Sequence, residues 1–202
     1  MFKRLQDFFG KNRRTLPRGA DADISVLLEA AARETLGKNL EANLKKIQEA
    51  GGNSYDISLR RFTTGNLPGA LLYLDGLTER RSAEEIMRSL VVDSRKLKIP
   101  LERGRGLEIA REKLLTSDEL VSVDNIADLF AAISRGGTAL FLDGSPGALI
   151  CDTRSPEVRD VSEPNNEIAI RGPRDGFVEN LQVNTSLIRL RLPIPQLWIE
   201  TM

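Results

Sequence analysis

Two short apolar runs constrain this chain most. Ala70-Leu71-Leu72-Tyr73-Leu74 and Thr138-Ala139-Leu140-Phe141-Leu142 are each too short for a helix of ordinary length, and each stops at an Asp-Gly pair. An uninterrupted run of this length has no polar face, so it suits a strand covered on both sides of a sheet. Each run is expected to be the central strand of a small α/β lobe, a short mixed sheet flanked by helices. The runs also echo each other, Leu72-Tyr73-Leu74-Asp75-Gly76 against Leu140-Phe141-Leu142-Asp143-Gly144. The echo suggests two small α/β lobes, each built on a central strand with the same terminal turn.

The covering helices are visible around these runs. Asp21 or Asp23 caps a helical region that reaches Ala50, with a break at Gly37 and a stop at Gly51-Gly52. Its apolar positions are Ile24, Leu27, Leu28 and Ala31, then Leu40, Leu44 and Ile47. A strand follows over Tyr55–Phe62, then a turn over Thr63–Gly69. Ser82 with Glu85 three residues on has the form of a capping box and opens a helix through Leu90. Further helices are expected over Leu107–Leu115 and from Ser122 or Asp124 to Arg135-Gly136-Gly137. Asp143-Gly144-Ser145-Pro146-Gly147 is a hairpin turn before a returning strand over Ala148–Thr153. Glu167–Arg171 alternates like a strand, Arg171–Gly176 breaks it, and a helix from Phe177 runs to Pro193 and Pro195. Its apolar face is expected to hold Leu181, Leu187, Ile188 and Leu190, with Arg189 and Arg191 complementing the dipole of the last turn.

The expected organisation is a basic flexible tail (1–22), a first α/β subdomain (23–96), a linker (97–106), a second α/β subdomain (107–192) and a Pro-rich end (193–202). Each lobe is expected to be a short mixed sheet flanked by helices. Leu97–Gly106 reads as the linker because Pro100, Gly104 and Gly106 interrupt it. The tail carries Lys3, Arg4, Lys11, Arg13, Arg14 and Arg18 beside Phe2, Phe8 and Phe9. It reads either as a solvated tail or as a basic segment touching an anionic membrane.

Charge and composition narrow the chemistry. With 29 basic and 29 acidic residues the chain is formally neutral, which disfavours nucleic acid as a partner. No apolar stretch reaches the length of a membrane span, and no secretory signal is expected. One cysteine, Cys151, rules out an internal disulfide and suits a reducing compartment and a core position. The chain has no histidine, so no Ser-His-Asp triad, Cys-His pair or histidine-ligated zinc site can be built. Gly104-Arg105-Gly106 begins like a dinucleotide fingerprint, but Ile109 stands where its third glycine belongs. No cofactor, metal or enzymatic activity is expected.

The candidate contacts for a ligand or anion are Arg171, Gly172 and Arg174 in the turn, with Asp75 and Asp143 at the strand ends. Backbone amides before a helix favour anions, and arginines add paired donors. The competing reading is structural: the arginines pair with acids such as Glu163 or Glu167, and Asp-Gly serves only its turns.

Glu163-Pro164, Ile168–Phe177 (IAIRGPRDGF), Asn180-Leu181, Asn184 and Leu187-Ile188-Arg189 resemble a signature of the GerA family, the A subunits of bacterial spore germinant receptors. Asn43-Leu44, Asn53-Ser54, Asp56, Arg60–Phe62 and the two Leu-Asp-Gly elements follow in the family's order, so the resemblance spans about Leu40 to Leu192. It implies a cytosolic N-terminal region of two α/β subdomains on the spore inner membrane, preceding a membrane domain. It further implies B- and C-type partner subunits, contacts with copies of itself, a small nutrient ligand such as an amino acid or sugar, and no catalytic residues. A full A subunit continues past Leu192, so the second lobe is expected to be incomplete and the chain to be a fragment or truncated copy, either a working sensory module or nonfunctional. Leu197 and Trp198 are expected to be exposed unless they fold back.

Overall fold

A computed structural model describes residues 34–52, 54–116, 120–155 and 179–200. The first helix, α1 (Leu40–Gly51), starts just after Gly37, where the break was expected. Asn39 caps it, its side-chain oxygen accepting from the Ala42 amide at 2.9 Å. Asn43 holds the preceding loop by exchanging hydrogen bonds with the Gly37 amide (2.7 Å) and carbonyl (2.8 Å). The part of this helical region expected before residue 34 lies outside the described residues.

β1 (Ile57–Thr64) and β2 (Leu67–Leu74) form a hairpin around Gly65-Asn66, with Gly65 at φ 61°, a position where tight hairpins favour glycine. The helix α2 (Arg80–Arg88) begins two residues before Ser82. The expected cap is therefore corrected: Glu79 occupies the cap position and Ser82 Oγ donates to its carboxylate at 2.6 Å. The start is set earlier because the Glu79 amide is bound to the Thr153 carbonyl at 2.7 Å, so the chain leaves the sheet there. α2 continues through a widened π segment (Ser89–Asp93) into a last α turn (Ser94–Lys96). The Leu90 carbonyl accepts from the Thr64 and Ser94 hydroxyls at 2.7 and 2.6 Å, which satisfies it where the regular ladder is lost.

Then come α3 (Gly106–Lys113), β3 (Leu120–Val123), α4 (Ile126–Ile133), β4 (Gly137–Leu142), β5 (Ala148–Asp152) and α5 (Leu181–Arg191). Ser122 does not start a helix; it lies inside β3, and the cap of α4 is Asn125, which accepts from the Asp128 amide at 2.8 Å.

The α and β composition is as expected, but the division of strands between lobes is corrected. All described strands form one five-stranded sheet in the order β1-β2-β4-β5-β3, with every pairing antiparallel. The pair that joins strands from either side of residues 97–106 is β2 with β4, register Leu71↔Leu140. The reason lies in the apolar runs themselves. A strand without a polar face needs a neighbour on each edge as well as cover on each face, and the two runs satisfy this by lying side by side.

Both faces are covered. On one, α1 and α4 pack Leu40, Leu44, Ile47, Leu129, Phe130 and Ile133 onto Ala70, Leu72, Leu74, Ala139, Phe141 and Ile150. On the other, α2 and α3 bring Ile86, Leu90, Ala110 and Leu114 onto Leu71, Leu140, Leu142, Leu149 and Cys151. Successive residues of β2, β4 and β5 fall in opposite clusters, the period-two alternation of a strand with two dry faces.

Candidate functional site

The described site is assembled where α5 and the segment after it dock against the start of β1 and the end of β2, away from the hairpin turn. Asn180 caps α5, accepting from the Gln182 amide at 2.9 Å. The helix turns an unusual face inward: Thr185, Ser186, Leu187 and Arg189 are buried, whereas Leu181 is 63% exposed and Leu190 sits at the surface. This corrects the apolar face expected from spacing. Two circumstances select the polar face. Gly76, at φ 86°, lies so close that a Cβ there would stand 2.6 Å from Ser186 Oγ, so only small side chains fit on the helix side. Thr185 and Ser186 also satisfy their own hydroxyls by donating to the Gln182 carbonyl at 2.9 and 2.8 Å.

The second circumstance is Arg189. Its guanidinium is fully buried and forms a fork with Asp56: Nε to Oδ2 at 2.8 Å and Nη2 to Oδ1 at 2.9 Å. Nη2 also donates to Ser54 Oγ at 2.9 Å, and Ser54 in turn donates to Asp56 Oδ1 at 2.7 Å. Nη1 has no hydrogen-bond partner among the described residues. Sequence reading put Arg189 beside the helix dipole; it is instead the largest fully buried side chain described. The available signal was its place among small hydroxyl residues on one helical face.

The chain after α5 completes the dock. The Ile199 amide donates to Ser54 Oγ at 2.7 Å, and the Tyr55 amide donates to the Ile199 carbonyl at 3.0 Å. Trp198 lies over Gly52 and donates from Nε1 to the Ala50 carbonyl at 3.2 Å. The Pro-rich end therefore folds back, leaving Leu197 half-buried and Trp198 partly exposed.

Between α5, the end of β2 and the start of α2 is an open cleft of about 530 Å³, lined in part by Tyr73, Asp75, Glu79, Arg80 and Ser186. Asp75 accepts from Ser58 Oγ at 2.7 Å, and its neighbourhood is polar enough to hold a small polar molecule. Asp143 is placed differently. Its Oδ1 accepts from the Leu40 amide at 3.1 Å, at the start of α1, and its Oδ2 pairs with Arg103 Nη2 at 2.8 Å. It ties α1, β4 and the 97–106 segment together. Because β2 and β4 run antiparallel, Asp75 and Asp143 lie at opposite ends of the sheet, Asp143 beside Pro68 and seven residues of strand from Asp75, roughly 20 Å. A single pocket holding both aspartates is thereby excluded. Arg171, Gly172 and Arg174 lie outside the described residues.

Among the described residues no group of three or more His, Cys, Asp or Glu side chains is arranged to hold a metal ion. Cys151 is buried in β5, and that burial pushes its thiol up to about 12.

Residues 45–202 match the family described as Bacillus/Clostridium GerA spore germination protein. The chain belongs to this family. The GerA-family chain is 30% identical over 171 residues to spore germination protein KA of Bacillus subtilis (strain 168), covering 83% of itself and 30% of that relative. It is 29% identical over 172 residues to the uncharacterized membrane protein YfkQ of the same organism, covering 84% of itself and 32% of YfkQ. Its fold matches the crystal structure of the N-terminal domain of the A subunit of the Bacillus megaterium spore germinant receptor GerK3. The TM-score is 0.63 at 26% identity, over 84% of this chain and 60% of that one. The chain thus spans about a third of the length of these curated relatives. The family and the KA relative are named for spore germination, and the matching solved structure is a domain of a germinant receptor A subunit.

Proposed function

We propose that this GerA-family chain is a sensory or assembly module of a germinant receptor A subunit and acts in nutrient-triggered spore germination without catalysing a reaction. The observation that carries this reading is the match of 84% of the chain to the N-terminal domain of the GerK3 A subunit. The partners proposed are B- and C-type receptor subunits and copies of the A subunit. The working location proposed is the cytosolic face of the spore inner membrane, in keeping with a relative described as a membrane protein. Within the described residues no helix is long and apolar enough to cross a membrane.

The dock of α5 supports a role in passing a signal along the chain. α5 and the segment after it are held by a polar lock, in which the Arg189–Asp56 pair is buried, rather than by a broad apolar face, so their seating depends on a few directional contacts. The test is complementation in spores lacking the endogenous A subunit. A receptor carrying this chain as its N-terminal region should restore nutrient-triggered germination and co-purify with the B and C subunits. Normal assembly and germination by a receptor with this region deleted would refute the module.

The cleft beside Asp75 favours a second reading, in which the module binds an amino acid or sugar there. A thermal-shift series with these nutrients, repeated in Asp75→Ala, tests it. A stabilisation present in the parent and lost in the variant supports the pocket; equal shifts in both would remove it.

A further inference from the structure

Lys98 is the one residue other than glycine with positive φ among the described residues, at 54°. The backbone explains the geometry. The Ile99 amide bonds to the Ser94 carbonyl at 2.8 Å and the Lys98 amide to the Arg95 carbonyl at 3.2 Å, the paired bonds of a Schellman motif that ends α2. Lys98 therefore sits where glycine is strongly preferred, and a lysine there strains the backbone. Strain retained at one position points to a use for the side chain that causes it.

The surroundings of Lys98 bear on that use. Arg95, Lys96, Leu97 and Lys98 are all exposed, Leu97 at 61%, and Val92 one turn back is 40% exposed. None of the three cations makes an ion pair or hydrogen bond through its side chain with another described residue. Two cations at a helix end are accounted for by the dipole. The dipole does not account for a third in left-handed conformation, nor for a leucine held out between Lys96 and Lys98. Ile99 turns inward onto the α2–α3 side of the core, so the tip is anchored from behind while its leucine and cations face out.

We propose that the α2 tip, Val92 with Arg95–Lys98, is a contact for an anionic phospholipid surface. The cations complement lipid headgroups, and Leu97 enters the acyl boundary between them. The choice of lipid over an acidic protein rests on the membrane-face placement proposed above, in keeping with a relative described as a membrane protein. The inference deepens the membrane-face placement proposed above by naming the surface that meets the bilayer.

The experiment uses as its parent the full 202-residue chain, with Lys3, Arg4, Lys11, Arg13, Arg14 and Arg18 changed to glutamine so that the basic tail carries no binding, and vesicles of phosphatidylcholine with or without phosphatidylglycerol. Partition is expected onto the anionic vesicles and not onto the zwitterionic ones, and it should weaken as salt is raised. Neutralising Arg95, Lys96 and Lys98 to glutamine should lower the partition coefficient on the order of 100-fold, and Lys98→Gly alone roughly fivefold. Lys98→Gly should also raise the melting temperature by relieving the strain, so its lost binding could not be ascribed to misfolding. Since the only native cysteine is buried, a spin label on Leu97→Cys labels the tip selectively and should become shielded from water on the vesicles. Any of three results would overturn the proposal: no binding of the parent chain to anionic vesicles, unchanged binding by the glutamine variant, or binding to polyglutamate in place of vesicles. No receptor partner is present, so failure here is distinguishable from failure of the germination test.

Discussion

Replacing Arg189 with methionine removes one charge from a pair whose side chains are 1% and 3% exposed. The volume is roughly kept, so the main change is electrostatic. Asp56 would remain buried with Ser54 as its side-chain donor, having lost two charge-assisted bonds at 2.8 and 2.9 Å. Breaking such a pair by deleting one partner costs about 3–5 kcal/mol, because the other charge is left uncompensated. At roughly 2–4 °C per kcal/mol for a chain of this size, the melting temperature should fall by about 6–20 °C. Replacing both partners, Asp56→Leu with Arg189→Met, removes the orphaned charge as well and should restore stability to within about 1–2 kcal/mol of the parent. Urea unfolding followed by circular dichroism measures the global term. The fluorescence of Trp198, the single tryptophan, reports separately on the segment lying over Gly52. In Arg189→Met the tryptophan signal should change at lower urea than the dichroism, since the dock opens before the sheet. A loss under about 1 kcal/mol with coincident transitions would refute the claim that this pair seats α5.

Three further outcomes are expected. Gly76→Ala forces a left-handed alanine and sets its Cβ against Ser186 and Gln182, so it should cost about 1–2 kcal/mol and speed amide exchange in α5, read by mass spectrometry. Asp143→Ala removes a side-chain acceptor from the start of α1 and should cost about 1 kcal/mol in urea unfolding. Little of that loss belongs to the exposed Arg103 pair, and binding in the Asp75 cleft should be unaffected. Cys151 should resist thiol reagents in the folded chain and react only on unfolding. Its folded thiol titrates near 12 against an ordinary 9.0, so the stability linked to it is complete below about pH 9 and is lost as pH rises toward 12. A thiol that reacts as fast folded as unfolded would contradict its burial.

Legibility followed the kind of signal available. The apolar runs were readable as buried strands because the breakers on either side leave them too short for a helix of ordinary length. The stop at Gly51-Gly52 and the break at Gly37 were readable from glycine chemistry. β3 was missed because four residues, Leu120–Val123, carry too little alternation to stand apart from the helix cap that follows them. The α2 cap was misplaced by two residues because a contact with the distant Thr153 sets where the helix begins. For α5 the spacing of leucines was a true pattern with the wrong meaning, since Leu181 and Leu190 face outward. Of the described residues in the GerA-family phrase, Arg189 belongs also to the dock.

By itself the sequence determined the class of architecture, the family, and the want of histidine chemistry, because runs, breakers and residue types are local properties. Tertiary structure alone decided that the two echoing strands are neighbours in one sheet, so that Asp75 and Asp143 stand at opposite ends of it. It also decided that Arg189 meets Asp56 across 133 residues of chain. A backbone edge can pair with any compatible strand, and a buried charge with any reachable countercharge. Which partner is reached depends on how the whole chain closes around its core.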